Sequence, residues 1–425
     1  VAATAPRDLD LVLWGATGYT GRLLARSVAE CAPAGLRWAL AGRDRARLQA
    51  VAAELDLDVD LVLADAHEPA SLAAMARRAK VVASAVGPYA LHGTALVAAC
   101  VEAGSDYADL TGELPWMRAC IDAFDAPARA SGARVVQACG FDSVPSDLGV
   151  LLLQRTALER WGRPCRWVRH TFGPLAGVVA GGTARSALTL LAEALQNPGV
   201  RRSLADRELL APGAPPSAPA HDPWWPRFDH ALSSWTTRFP MALVNTRVVR
   251  RTRVLLGEPW GLGFEYRERW RAPHWPAAAG VSLASAALPA LLAAAPLRSF
   301  VERQLPGPGE GPSLERLRRG SFRSVLVGRV EGVEEPVVVH VGSDVDPGYL
   351  ATARMLREVC FGLAANEFDA PGGVLTPGYV GGERLLERLQ DAGIRFQVAP
   401  PGRPLGTPTP STRSGSTDVR VGARQ

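Results

Sequence analysis

Leu9 to Arg26 reads LDLVLWGATGYTGRLLAR, an apolar run, three glycines at Gly15, Gly18 and Gly21, and then a helical pattern. Leu11-Val12-Leu13-Trp14 is short, uncharged and stopped at Gly15, as a buried parallel strand is. Beyond the glycines, Leu23, Leu24, Ser27 and Val28 share one helical face. A glycine turn between such a strand and helix leaves backbone N–H groups free at the positive helix end, with no Cβ to keep a pyrophosphate away. The spacing is G-x-x-G-x-x-G, a relative of the dinucleotide fingerprint, and its strand–turn–helix setting gives it meaning. Gly15, Ala16, Thr17, Gly18, Tyr19, Thr20 and Gly21 therefore form the candidate phosphate-binding turn. A tight turn that binds nothing is the alternative.

Leu36 to Ala41 (LRWALA) is the next apolar run, followed by Gly42-Arg43-Asp44. Leu48, Val51, Ala52 and Leu55 then recur at helical spacing, with Asp44 expected to cap their helix. An NAD-binding unit ends this strand in a carboxylate that takes the ribose hydroxyls. Here the strand ends in Ala-Gly-Arg, and the Arg43 guanidinium can fork onto a 2′-phosphate. That favours NADP(H); a solvated Arg43 with Asp44 on the ribose is the other reading. Leu61–Ala64 is a third strand closed by Asp65, placed to meet the adenine or to cap the helix running to Ala79. Val81–Ala85 is a fourth, ending in Val86-Gly87-Pro88-Tyr89, where the backbone would pass beneath the nicotinamide half. Gly93–Ala103 reads as a helix stopped by Gly104, and Asp106–Asp109 and Arg134–Ala138 as two more strands. A doubly wound sheet turns all its carboxyl ends one way. It would gather Tyr89, Asp109, Thr111, Gly112 and the loop Gly140–Asp147 around the cofactor.

The 425 residues suffice for two or three domains. Of 47 basic residues only Lys80 is lysine, and the net charge is +5 with no basic stripe interleaved with aromatics, which argues against nucleic-acid binding. Six cysteines without metal-ligand spacing read as reduced thiols in a cytoplasmic protein, with no metal site and no signal peptide before the first strand. Ala211–Pro226 is proline-rich and reads as a loop or lid. The tail 400–425 lacks any apolar period and is expected to be disordered. Ala277–Pro296 carries no charge. It reads as a buried or surface-lying helix rather than a membrane span, with Trp270 and Trp275 leaving peripheral lipid contact open.

These residues resemble the saccharopine dehydrogenase-like oxidoreductases, in particular the bacterial branch of trans-acting enoyl reductases. The resemblance rests on GATGYTGR (Gly15–Arg22), AGR (Ala41–Arg43), VGPY (Val86–Tyr89), DYADLTGE (Asp106–Glu113) and GFDSVPSDLG (Gly140–Gly149). It continues through AGGTARSAL (Ala180–Leu188), PGEGPS (Pro308–Ser313), DPGY (Asp346–Tyr349) and GGVLTP (Gly372–Pro377). It implies an N-terminal Rossmann domain, a mixed α/β second domain, NADP(H) as cofactor, and reduction of a double bond on polyketide chains destined for complex lipids. The expected architecture is α/β, a doubly wound parallel sheet over 1–150, a mixed α+β domain over 151–345, and a segment 346–399 whose helix packs back on the first domain. The substrate would be an acyl thioester on a carrier protein or coenzyme A. A homodimer is open.

Other motifs have local readings. Gly181-Gly182-Thr183 opens a helix as an anion or carbonyl site, or as a close helix crossing. Asp346 caps a helix carrying Met355, Val359 and Leu363. Val337–Val341 reads as a strand, with strands near Ser324–Val330 and Leu243–Leu256 as partners. Arg247, Arg251 and Arg253 then share one face of a solvated or dimer-facing strand. Reduction of an enoyl thioester places negative charge on the thioester oxygen and needs a proton at the α-carbon. Tyr89 beside the nicotinamide pocket is the first candidate donor, with packing beneath the ring as its alternative, and Ser143 and Asp142 on the facing loop are next. A reductase of an amino-acid-like substrate, which would need arginines in the cleft, and a non-catalytic NADPH-binding protein at a lipid surface are the competing functions.

Overall fold

Apolar strands alternating with amphipathic helices build the first sheet. The chain runs β1 (Leu9–Trp14), α1 (Tyr19–Cys31), β2 (Trp38–Gly42), α2 (Arg45–Glu54), β3 (Asp60–Leu63), α3 (Pro69–Arg78), β4 (Ala79–Ser84), the single turn α4 (Tyr89–His92), α5 (Thr94–Ala103), β5 (Asp106–Asp109), α6 (Leu114–Ser131), β6 (Arg134–Val136) and α7 (Val144–Trp161). Then come β7 (Trp167–Ala176), α8 (Gly181–Gln196), α9 (Pro198–Ala205), β8 (Arg227–Asp229), β9 (Ser234–Arg238), α10 (Ala242–Leu255), β10 (Glu265–Ala272), α11 (Trp275–Ala293), α12 (Ala295–Gln304), α13 (Leu314–Arg318), β11 (Ser321–Arg329) and β12 (Val337–Ser343). A π-turn at Pro347–Ala351 leads into α14 (Thr352–Ala364), β13 (Gly373–Leu375), α15 (Pro377–Asp391) and β14 (Arg395–Val398). The computed structural model describes residues 7–177, 180–215, 225–293, 295–304, 307 and 309–402. Apart from 400–402, the tail expected to be disordered lies outside the described residues, as does 216–224 of the proline-rich stretch.

The first sheet is wholly parallel in the order β13-β6-β5-β4-β1-β2-β3. Its six N-terminal strands have the doubly wound order expected of a Rossmann unit, and β13 returns from the C-terminal part to extend it. β1 is buried along its whole length; each leucine held this way contributes about 1.5–3 kcal/mol. The second sheet, β14-β12-β11-β7-β10-β9-β8, is mixed: β7 and β10 run parallel and the other neighbours antiparallel. α14 packs against α1, β1, β4 and β5, so the helix after Tyr349 does return to the first sheet. Asp346 accepts from the Tyr349 N–H at 2.7 Å and starts that turn.

One element differs from expectation. Leu243–Leu256 is helical, as α10, and Arg247, Arg251 and Arg253 are buried rather than solvated or dimer-facing. Val248, Val249, Thr252 and Val254 give the segment a strand-like composition. Buried partners decide the outcome: Arg251 reaches Asp125 at 3.1 Å and the Val374 carbonyl at 2.8 Å, contacts that lie outside local sequence. No helix among the described residues is long and apolar enough to cross a membrane. The uncharged run from Ala277 falls in α11 and α12, where Trp275 and Leu283 are exposed.

Candidate functional site

The glycine turn is closed by contacts that only glycine permits. Gly15 adopts φ +90°, and a Cβ there would lie 2.5 Å from Val86. A Cβ on Gly21 would sit 2.1 Å from the Gly15 carbonyl oxygen, so α1 approaches the turn with nothing between them. Gly18 is the N-cap of α1 and gives it no side-chain cap, leaving helix N–H groups directed into a cleft of about 730 Å³. Gly15, Thr17, Gly18, Tyr19 and Thr20 line that cleft; Ala16 and Gly21 pack behind it in the core. Val86, Gly87 and Pro88 form its floor at the end of β4.

Arg43 follows the end of β2 and Arg47 lies in the first turn of α2; both line the cleft and are exposed. Asp44 is turned away to cap α2, accepting from the Arg47 N–H at 3.0 Å. The competing role for Asp44 on a ribose is thereby weakened, and the exposed Arg43 guanidinium suits a 2′-phosphate. Asp65 lines the cleft as well; it accepts from the His67 N–H at 2.9 Å, while Glu68 occupies the cap position of α3.

The later motifs complete this cleft from the other side. The turn of PGEGPS covers the glycine loop: the Arg22 guanidinium donates to the Gly309 carbonyl and the Tyr19 hydroxyl to that of Pro312. Tyr349 stands edge-on to Tyr19 with ring centroids 4.8 Å apart and accepts from the Gly181 N–H at 2.9 Å. Tyr349 thus lines the cofactor cleft and holds the start of α8, more than the structural role expected of its motif. A Cβ on Gly182 would meet nothing within 4 Å, so no tight helix crossing demands glycine there. The space beside it belongs to the cleft, which Gly181, Gly182 and Arg185 all line.

A second cavity of about 320 Å³ opens from the first, sharing Thr20, Ala85, Gly87 and Gly182 with it. Leu190, Leu191 and Ala194 of α8, Leu204 of α9, and Met241, Leu243 and Val244 line most of it. Its polar lining is Thr20, Thr111, Glu113, Asp142, Thr183, Ser186 and Thr352; Ser186 lies beside the shared Gly87 and donates to Glu113. Among the described residues, no arginine, lysine or histidine lines it.

The three candidate catalytic side chains separate here. The Tyr89 hydroxyl donates to the Ser84 carbonyl at 3.1 Å and accepts from the Leu110 N–H at 3.2 Å, with its ring stacked on Trp116. Burial pushes its ionisation well above the usual tyrosine range. These contacts favour the packing alternative over proton donation. Ser143 lines neither cavity and donates to Asn245 at 3.1 Å, joining a buried network in which Glu268 accepts from Asn245, Ser146 and Tyr266. Asp142 lines the second cavity, and its half-buried carboxyl has no hydrogen-bonding or ionic partner among the described residues. Burial alone pushes it up to about 6.

Two residues without a prior assignment also stand at the junction. Glu113 accepts from the Tyr89 and Ala90 N–H groups at 2.9 and 2.8 Å and from the Ser186 hydroxyl at 2.6 Å. It ties the loop after β4 to α8. Glu113 belongs to a quoted motif, but nothing local marks a partner 73 positions away.

Known proteins agree with this architecture. Residues 11–136 match the family model described as the saccharopine dehydrogenase NADP-binding domain. A Mycobacterium tuberculosis protein is 39% identical over 413 residues, covering 92% of this chain and 98% of its own. The trans-acting enoyl reductase of Mycobacterium leprae is 36% identical over 423 residues, covering 91% of this chain and 97% of its own; that of Mycobacterium bovis is 36% identical over 421, covering 92% and 97%. A solved saccharopine dehydrogenase (L-Glu forming) from Saccharomyces cerevisiae superposes with a TM-score of 0.51 at 14% identity, covering 92% of this chain and 99% of that one. That likeness is one of fold. The chain belongs to the trans-acting enoyl reductases, NADP-dependent oxidoreductases with a saccharopine dehydrogenase-type fold.

Proposed function

We propose that this protein reduces the carbon–carbon double bond of an enoyl thioester, with the dinucleotide in the larger cleft and the acyl group in the smaller cavity. The observation that carries this reading is the lining of the second cavity: chiefly aliphatic where α8, α9 and α10 form its walls, with hydroxyl and carboxyl groups but no cation among its described residues. A dicarboxylate or amino-acid substrate would bring its charge against Glu113 and Asp142 with no arginine to receive it. The saccharopine-type alternative therefore loses support. The names of the mycobacterial relatives point to the same reaction class.

NADPH supplies the hydride when bound. Gly15, Thr17, Gly18 and Thr20 would hold its pyrophosphate, Arg43 its 2′-phosphate, and Val86-Gly87-Pro88 the floor beneath its nicotinamide. Asp142 holds the proton: a carboxyl raised to about 6 by burial is protonated in a useful fraction of molecules near neutrality and lies on the acyl cavity. Its role is protonation of the α-carbon. The hydroxyls of Thr111 and Thr183 line the same cavity and donate to no other group among the described residues, so they suit the thioester oxygen as charge develops on it. Tyr89 supports the floor. The exposed Trp275 and Leu283 of α11 support peripheral lipid contact, which suits an enzyme with long-chain products.

The test is NADPH oxidation measured with medium- and long-chain 2-enoyl thioesters of coenzyme A or a carrier protein, and in parallel with 2-aminoadipate semialdehyde plus glutamate. Turnover confined to the enoyl thioesters is expected. Turnover confined to the amino-acid pair would overturn the assignment, and cofactor binding without turnover in either assay would favour a non-catalytic protein.

A further inference from the structure

The apolar cavity has a length, and one side chain stands at its end. α8 lines it from end to end, with Gly182, Ser186, Leu190 and Ala194 recurring every four residues on one face. Twelve residues at the helical rise carry that face about 18 Å from the cofactor cleft, which Gly182 also borders. At the far end α9 packs on α8, with the Arg201 guanidinium donating to the Ala194 carbonyl at 2.9 Å. Leu204 of α9 lines the cavity, facing a wall that includes Leu243 of α10.

Both leucines are held by one group. Arg247 is 5% exposed. Its Nη2 donates to the Leu204 carbonyl at 2.6 Å, Nη1 to the Leu243 carbonyl at 2.7 Å and Nε to the Asp206 carbonyl at 2.8 Å. Its planar fork therefore fixes the backbone on either side of the cavity to one rigid centre. Each carbonyl would lose a buried donor if the fork were removed.

On the reading of the cavity as an acyl site, we infer that Leu204 sets the chain length the enzyme accepts, and that Arg247 is the positioning residue holding Leu204 against the α10 wall. Short acyl groups end before Leu204 and are indifferent to its size. Long ones fill the aliphatic stretch between Leu190 and Leu204, so a bulkier residue there excludes their last carbons.

The experiment compares kcat/KM for short-, medium- and long-chain trans-2-enoyl coenzyme A thioesters in the parent, Leu204→Trp, Leu204→Ala, Arg247→Met and Arg247→Lys, with NADPH fluorescence titration to show that each variant is folded. Leu204→Trp is expected to lower the long-to-short ratio by about tenfold or more, the scale on which an apolar pocket discriminates a few methylenes. Leu204→Ala moves the ratio the opposite way. Arg247→Met flattens the chain-length preference, and Arg247→Lys restores part of it. An unchanged ratio in both Leu204 variants would overturn the inference. So would an equal loss at every chain length, which would place the thioester arm, rather than the acyl tail, at Leu204. No turnover of any enoyl thioester by the parent would instead overturn the reaction class, and this inference with it.

Discussion

The cofactor cleft and the apolar cavity meet at Gly87 and Gly182, yet they are built on opposite physical principles. The cleft is wide, rimmed by Arg43, Arg47 and Arg185, and fed by the uncapped start of α1. It offers positive potential and backbone donors to a polyanion. The cavity is less than half the volume, lined chiefly by leucine, alanine, methionine and valine, and bears two carboxyl groups but no cation among its described lining. One side recognises by charge and the other by shape. The boundary between them, where Glu113 and Ser186 meet beside Gly87, is where polar chemistry can be kept out of bulk water.

Four substitutions test that contrast. The largest effect is expected on the charged side. Gly21→Val places side-chain carbon where a Cβ already falls 2.1 Å from the Gly15 carbonyl. NADPH affinity should drop about a thousandfold or more, a loss of over about 4 kcal/mol, and fluorescence titration would show it. Near-parental affinity would mean that the turn does not hold the pyrophosphate.

In the apolar cavity, Asp142→Asn should lower kcat by about 10²–10³ with NADPH affinity nearly unaltered. The pH profile supplies the sign. The carboxyl sits near 6, so the acid form predominates below that value and is lost above it. In the parent, kcat/KM should fall as pH rises through about 6, and the asparagine variant should lose that limb. A parental profile in the variant would remove Asp142 from the reaction.

Arg43→Ala comes next, cutting the preference for NADPH over NADH by about ten- to a hundredfold, as loss of one charge-assisted contact of about 1.5–3 kcal/mol would. Paired titrations of the two cofactors are sufficient, and an unchanged ratio would reassign the 2′-phosphate to Arg47 or Arg185. The smallest effect is at Tyr89. Its hydroxyl bridges Ser84 and Leu110, so Tyr89→Phe should cost about 1–3 kcal/mol of stability in denaturant unfolding. Its kcat should fall by less than about tenfold, short of what loss of a general acid would cause. A hundredfold loss of kcat with stability intact would restore Tyr89 as the proton donor.

The charged side was the legible one. A glycine turn between a run such as Leu11–Trp14 and a helix such as Tyr19–Cys31 is local physics, readable from period and residue type. So was Arg43 at the end of its strand. The cavity was not. Its walls come from α8, α9, α10 and the loop after β6, and nothing near Leu190 or Leu204 signals that they face each other. α10 departs from its strand-like pattern for the same reason: its arginines find acceptors in Leu204, Asp206, Asp125 and Val374, far off in sequence. Tyr89 lines the second cavity, but which way its hydroxyl points depends on Leu110, 21 residues on. Sequence pattern carries element type and the ends of strands; it carries little about which side chains converge from separate elements.

On this reading the cationic cleft delivers reducing equivalents into the largely apolar cavity, onto an acyl carbon. The most direct test is one turnover with NADPH deuterated at the nicotinamide C4 position and a trans-2-enoyl coenzyme A thioester, followed by mass spectrometry of the acyl product. The expected product is a saturated thioester carrying one deuterium at the β-carbon, with the α-carbon proton drawn from solvent. An unreduced enoyl thioester, together with deuterium found in an amine or amino-acid product when those partners are supplied instead, would contradict it.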